Sequence, residues 1–377
     1  MKYAKYGPAS LNGLFGDFVI YRNLVPADPR VPAIAELRDR LGLDRGYLPR
    51  KAEPAYGAVV ATMIRAARHI EAPGTAVRCL LYVGDTLMND GTAFKSICAA
   101  GGWQGRAFIG RDDLSRARQI DVDGSIYLSN RWSALHEFVD SVQADGFGRD
   151  EATVMVVDMD KTAIGAKGRN DGVIDEARLE AVDRTVRHLL GPRYDEAVFR
   201  EAYDELKQAP YHRFTADNQD YLVYICLMIG AGLFEVKRLV DDVTYGSIGG
   251  FGEFIAQVDG RRHELANTGL LSVHDDICSR FRHDDPTPFK MFRYTEYLTT
   301  AARFGDMVER EAEQVLAERI AVTQEVREVV DAVRDCGVLA FGVSDKPDEA
   351  AVPTGDQVRS GMKPLHRLDT VAIGEAC

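Results

Sequence analysis

The sequence predicts an α/β protein, a parallel sheet with helices on both faces, interrupted by a long all-helical insertion. Three observations carry that expectation. Continuous apolar runs at 79–84 (CLLYVG), 153–158 (TVMVVD) and 337–344 (GVLAFGVS) read as strands buried on both faces. Helical patterns alternate with such runs through the first 164 residues, and that alternation favours parallel pairing. From 165 to 330 the apolar residues recur three and four apart almost throughout, the mark of helices, before strand character returns at 337. The expected division is therefore a discontinuous α/β core, 1–164 with 331–377, and a helical domain, 165–330.

In chain order, 17–21 (DFVIY) carries a weak strand signal. A helix follows from Pro32, with Ile34, Leu37 and Leu41 on one stripe, and a second runs from Glu53. Pro73 and Gly74 end the second helix, because a residue before proline, here Ala72, is pushed towards extended geometry. The strand at 79–84 leads through DTLMNDG into the helix TAFKSICAAGG. Two short strands, 106–109 and 125–128, precede the amphipathic segment RWSALHEFVDSVQA. After the strand at 153–158 the insertion is broken mainly at YGSIGGFGEF and HDDPTPFK. A last strand, TVAIG, begins at Thr370.

A chain of 377 residues suggests two domains or slightly more, and it buries a sizeable core without disulfide or metal staples. With 46% hydrophobic and 28% charged residues, it is not disordered, collagen-like or coiled-coil. Lys and Arg number 46 against 58 Asp and Glu, a net charge of −12, which disfavours nucleic acid as a partner. The six cysteines show no CxxC spacing, and the apolar settings of Cys79 and Cys226 suggest buried thiols in a reducing cytoplasm. The N-terminus lacks the apolar core of a signal peptide. The longest apolar run, 221–234, has 14 residues, too short for a bilayer, and reads as a buried helix, so no membrane partner is expected.

Three strand ends carry chemistry. In VMVVDMDKT, Asp158 and Asp160 stand two residues apart, on one side of an extended chain. Carboxylates this close repel unless one is protonated or a cation lies between them, so the pair implies a metal site or an acid/base couple. In LLYVGDTLMNDG, a strand delivers Asp85, with Asp90 five residues on. Hard cations such as Mg²⁺ take such oxygen ligands, although Asn-Asp-Gly is also turn chemistry. In LAFGVSDKP, a strand ends at the Ser344 hydroxyl. Ligands of open α/β sheets bind at this carboxyl edge. There is no HxxxH or HExxH pattern for zinc, and no GxGxxG or GKS/T loop for a nucleotide. In the insertion, YHRF and PTPFKMFRYTEY set His212, Arg213, Lys290 and Arg293 beside aromatics. They either recognise a substrate's polar end or pack with snorkelled charges.

Taken together, Asp158-Met159-Asp160-Lys161-Thr162, Ser344 and Gly84-Asp85-Thr86-Leu87-Met88-Asn89-Asp90 resemble the first, second and fourth motifs of the haloacid dehalogenase (HAD) superfamily. The resemblance covers about half the chain. The fourth motif precedes the first here, so the chain resembles a circularly permuted member. The fold it implies is a HAD-like Rossmannoid sheet in permuted strand order, with a helical cap inserted between the first and second motifs. The family's third motif is a Lys or Arg at the start of the helix before the fourth-motif strand. Lys51 in LPRKAEPAY fits, with Arg50 beside it. Lys363 competes in a rival layout that makes TVAIGEA a degenerate fourth motif with Glu375 in place of Asp85. Six residues between Lys363 and that strand are too few for the intervening helix, which favours Lys51.

The resemblance implies a Mg²⁺-dependent phosphomonoester hydrolase (phosphatase) acting on a small phosphorylated metabolite through an aspartyl-phosphate. Asp158 would be the nucleophile and Asp160 the acid/base. Mg²⁺ would be held by Asp158, the Asp160 carbonyl, and Asp85 with or without Asp90. Ser344 and Lys51, with Lys346 nearby, would hold the phosphoryl oxygens, and Thr162 would orient the loop. Such a cap closes over the site and selects the substrate. The alternatives are a phosphotransferase or mutase using the same intermediate, and a binding protein that kept the fold without turnover.

Overall fold

The computed structural model describes residues 3–144, 146–266, 268–305 and 309–376. The chain divides into two compact units. One comprises the chain up to Glu176 and again from Thr300; the other is Ala177–Thr299.

Among the described residues, the first unit contains ten strands: β1 (Tyr3–Ala9), β2 (Val19–Ile20), β3 (Cys79–Gly84), β4 (Gln104–Gly110), β5 (Ile120–Asp123), β6 (Ile126–Ser129), β7 (Thr153–Asp158), β8 (Val322–Thr323), β9 (Leu339–Val343) and β10 (Thr370–Glu375). Seven form one sheet in the order β2-β9-β7-β3-β4-β6-β5. Every neighbour pair in it is parallel except the β5–β6 hairpin. β7 and β9 are buried at every residue, which is why they read as unbroken apolar runs.

Helices α1 (Pro54–Glu71) and α2 (Asp90–Gly101) cover one face, with Ile34 and Leu37 of the helix Ile34–Leu41 in the same core. Alternate strand residues Leu80, Tyr82, Val154, Val156, Leu339 and Phe341 meet Val59, Val60, Met63 and Ile64 of α1 in one core. Helices Leu11–Phe15, Ala134–Ala144 and Gln324–Arg334 pack on the sheet's other side. Pro54 occupies the first turn of α1, where its missing N–H costs nothing. At Gly57 a Cβ would stand 2.4 Å from the Ser96 backbone, so only glycine lets α1 and α2 approach this closely. α1 ends as expected at Ala72, φ −134° and ψ 83°, ahead of Pro73.

Some expectations change. TVAIG forms β10, but it belongs to a separate three-stranded sheet, β1-β10-β8, antiparallel to β1 and parallel to β8. Residues 165–176 and 300–330, read as part of the helical insertion, fall in the first unit. The cause is a polar clasp. Buried Asn170 donates to the carbonyls of Leu316 and Arg319 and accepts from the Ala321 N–H, while the Gly165 N–H donates to the Ala321 carbonyl. Cys79, expected in the interior, is only half-buried at the outer end of β3.

The second unit is helical. In its helix Gln219–Gly230, every residue from Leu222 to Ile229 is buried, as the run at 221–234 predicts. Around it pack Phe199, Phe214, Phe251, Phe254, Ile277 and Phe292. Among the described residues, no helix is long and apolar enough to cross a membrane.

Candidate functional site

β9, β7 and β3 are adjacent and parallel at the centre of the sheet, with Val83 opposite Val157 and Asp158 opposite Val343. Their carboxyl ends therefore deliver Ser344, Asp158 and Asp85 to one edge. Asp158 shares the parity of Val154 and Val156, so its side chain leaves the sheet on the face that α1 and α2 cover. Lys51, three residues before α1, meets it there. The Lys51 Nζ is 2.5 Å from Asp158 Oδ1 and 3.0 Å from Asp90 Oδ1, and Lys51 is 3% exposed.

Asp90, at the start of α2, folds back over the end of β3. Gly84 permits this, because a Cβ there would lie 2.6 Å from the Asp90 Cβ and carboxyl carbon. Asp90 Oδ2 accepts from the Asp85 N–H (3.1 Å), the Thr86 N–H (3.0 Å) and the Thr86 hydroxyl (3.0 Å). Its Oδ1 accepts from the Tyr82 hydroxyl (3.0 Å) as well as from Lys51. Five donors saturate the roughly four lone-pair directions of a carboxylate. Asp90, expected among the metal ligands with Asp85 and grouped with Asp85 and Asp158 here, also shapes the 85–90 loop. The carboxylates with capacity left are Asp158, which accepts one further bond from Thr162 Oγ1 (3.1 Å), and Asp85, bonded to Lys167 Nζ (2.8 Å).

Oxygens of Asp85, Asp90 and Asp158 lie within 4.8 Å of one another. Burial lifts the Asp158 carboxyl well above its ordinary range, and the charges of Asp90 and Asp85 add to the rise against the pull of Lys51. Burial likewise brings Asp85 to about 6, with Lys167 opposing and Asp90 adding. For Asp90 the burial effect is outweighed by Lys51 and by the Thr86 hydrogen bonds, which hold it at about 2. Lys51 stays protonated well beyond the ordinary lysine range, because the two acids overcome its desolvation. Three carboxylates facing two ammonium groups leave one charge to be matched, either by a proton kept on the raised Asp158 carboxyl or by a further cation. At this spacing Asp85, Asp90 and Asp158 could each offer one oxygen to a metal ion.

The other expected residues separate into groups. Ser344 is 3% exposed, and its Oγ accepts from the Lys346 N–H at 2.9 Å. The Lys346 ammonium reaches Asp160 Oδ2 at 3.5 Å. Thr162 is wholly buried and acts on Asp158 as a hydrogen-bond donor. The rival layout fails, because β10 lies in the separate sheet. Glu375 bonds there through its N–H to Glu325, and Lys363 stands exposed on the approach to that strand. Arg50 is exposed beside Glu53. Tyr82, Thr86 and Lys167 had no motif to announce them. Tyr82 alone had a signal, its shared parity with Leu80 on the strand before Asp85. Beside Asp85 opens a cleft of about 380 Å³, lined among others by Leu87, Ile109, Arg111, Gln119 and Asn130.

Arg213, Lys290 and Arg293 lie in the second unit. Lys290 Nζ bonds Asp285 Oδ2 (2.9 Å) and Thr287 Oγ1 (2.8 Å), and Arg213 is exposed. Arg293, 5% exposed, is committed to Asp220 (2.5 Å) and Glu296 (2.6 Å), both buried. That corrects its reading as a substrate ligand. Arg293→Met is expected to lower the stability of the helical unit by about 3–5 kcal/mol, the cost of leaving buried acids unpaired. Far-UV circular dichroism during urea unfolding checks it. A raised KM with unchanged stability would restore the substrate role.

Compared with known proteins, the chain matches no family model, no curated protein and no solved structure.

Proposed function

We propose that the protein is a Mg²⁺-dependent phosphomonoester hydrolase with a circularly permuted HAD-like core. Ala177–Thr299 is read as the inserted cap, from its place in the chain between Asp158 and Ser344. One observation carries the reading above the rest. Asp85 and Asp158, 73 positions apart in sequence, converge at the carboxyl edge of neighbouring strands, and a buried lysine bridges Asp158 to Asp90.

Asp158 and Asp85 are the residues that would hold Mg²⁺. When bound, the cation offsets the repulsion between carboxylate and phosphate and spreads transition-state charge. Lys51 and Ser344 hold the phosphoryl oxygens. The Asp158 carboxylate attacks phosphorus and the ester P–O bond breaks, while Asp160 gives its proton to the departing alkoxide. Asp160, now ionised, takes a proton from water as the water oxygen attacks the same phosphorus. The acyl–phosphate P–O bond then breaks, releasing phosphate and restoring Asp158.

Phosphate release from para-nitrophenyl phosphate tests the reading. Activity is expected with Mg²⁺, lost on adding EDTA and regained with excess Mg²⁺. No release under any of these conditions would overturn the hydrolase reading, and phosphate passed to an added alcohol instead of water would replace it with a transferase.

A further inference from the structure

Two lysines neutralise the acid cluster, and they are held very differently. The Lys51 side chain is 4% exposed and lies between two carboxylates. The Lys167 side chain is 30% exposed and touches only the solvent side of the cluster. Its Nζ is 2.8 Å from Asp85 Oδ2 and 3.4 Å from the Asp85 carbonyl oxygen. An exposed lysine pair ordinarily contributes little, because ordering the side chain offsets the attraction. Here the backbone on both sides is fixed. The Lys167 N–H donates to the Lys161 carbonyl (2.9 Å). The Lys167 carbonyl accepts from the Asp112 N–H (2.9 Å) and from Trp132 Nε1 (3.2 Å). Gly168 has φ +77°, and a Cβ there would stand 1.9 Å from the Asp112 carbonyl oxygen, so this turn requires glycine. Arg169 is anchored by buried ion pairs to Asp112 (2.8 Å) and Glu325 (2.9 Å). The strap thus directs a 30%-exposed ammonium side chain at Asp85, whose carboxylate has capacity left.

We propose that Lys167 is the resident counter-charge of Asp85, displaced from that carboxylate when a divalent cation binds, and that it thereby sets the cation affinity of the site. This rests on the reading of Asp85 and Asp158 as cation ligands. Lys51, its side chain 4% exposed and paired with two acids, is held too firmly to take this part. Lys167 can withdraw into water without leaving a buried charge behind. It is a positioning residue that acts through Asp85.

Mn²⁺ binding to the full chain, measured by calorimetry without substrate, tests the proposal. Lys167→Met and Lys167→Gln are expected to bind Mn²⁺ about tenfold more tightly than the unaltered chain, since one competing positive charge is gone. Lys167→Arg, which keeps the charge, is expected to stay within about twofold. The glutamine variant keeps a polar side chain, so it serves if the methionine variant does not fold. Mn²⁺ bound by the unaltered chain with unchanged or weaker affinity in both neutral variants would overturn this proposal and leave the cation site standing. Mn²⁺ bound by none of the proteins would overturn both.

Discussion

Asp158→Asn is expected to lower phosphate release from an aryl phosphate by a thousandfold or more, on the order seen when a covalent nucleophile is removed. An amide oxygen of nearly the same shape cannot form the acyl phosphate, so little of the catalysed rate survives. The same change spares the fold. Lys51 keeps Asp90 as its partner at 3.0 Å, and Thr162 keeps an oxygen to donate to. One of three crowded carboxylates disappears, and with it the repulsion from Asp90 and Asp85 that helped raise the Asp158 carboxyl. The urea midpoint should therefore hold or rise while activity vanishes. Activity within tenfold of the unaltered protein would remove Asp158 from the nucleophile's role. Lost activity with a collapsed midpoint would make it a structural acid.

The parts of this molecule that could be read from sequence are those whose cause is local. β3, β7 and β9 are buried on both faces, so each writes itself as an unbroken apolar run, and the acid or hydroxyl that ends each run stands out against it. That is enough to place Ser344, Asp158 and Asp85 at one edge once the strands are parallel neighbours. Where the cause is a distant partner, the pattern is silent. β8 has two residues and is held by pairing with β10 and by a bridge to Ile164. β1, YAKYGPA, contains a glycine and a proline and is held by the same strand. Lys167 meets Asp85 across 82 positions, with no spacing to signal it. Arg293 beside aromatics resembled a ligand-binding group until Asp220, 73 positions earlier, claimed its guanidinium. Asp90 is the subtler case. Its spacing from Asp85 was legible, but its five hydrogen bonds follow from the way Gly84 lets the loop turn back on the strand, and they add the part of loop organiser.

Lys51 should show the largest stability effect of any single side chain at the site. Its ammonium is buried with Asp158 at 2.5 Å and Asp90 at 3.0 Å, and Tyr82 bonds the same Asp90 oxygen. Lys51→Met keeps the length and the apolar stem but strands two buried carboxylates, a loss of about 3–5 kcal/mol for a broken buried pair. Both tryptophans of the chain, Trp103 and Trp132, are buried in the first unit, so their fluorescence follows the unfolding of the unit that holds Lys51. Phosphate release should fall to background as well, because Lys51 is the ammonium paired with Asp158. The double variant Lys51→Met with Asp158→Asn separates the two effects. Removing the stranded charge restores part of the stability and none of the activity, so the two substitutions are non-additive in urea, as expected for side chains in contact. If the double variant were as unstable as the sum of the singles, Lys51 would be stabilising the fold through its stem and not its charge. The bridge between Asp158 and Asp90 would then no longer account for how three acids are held together at the end of this sheet.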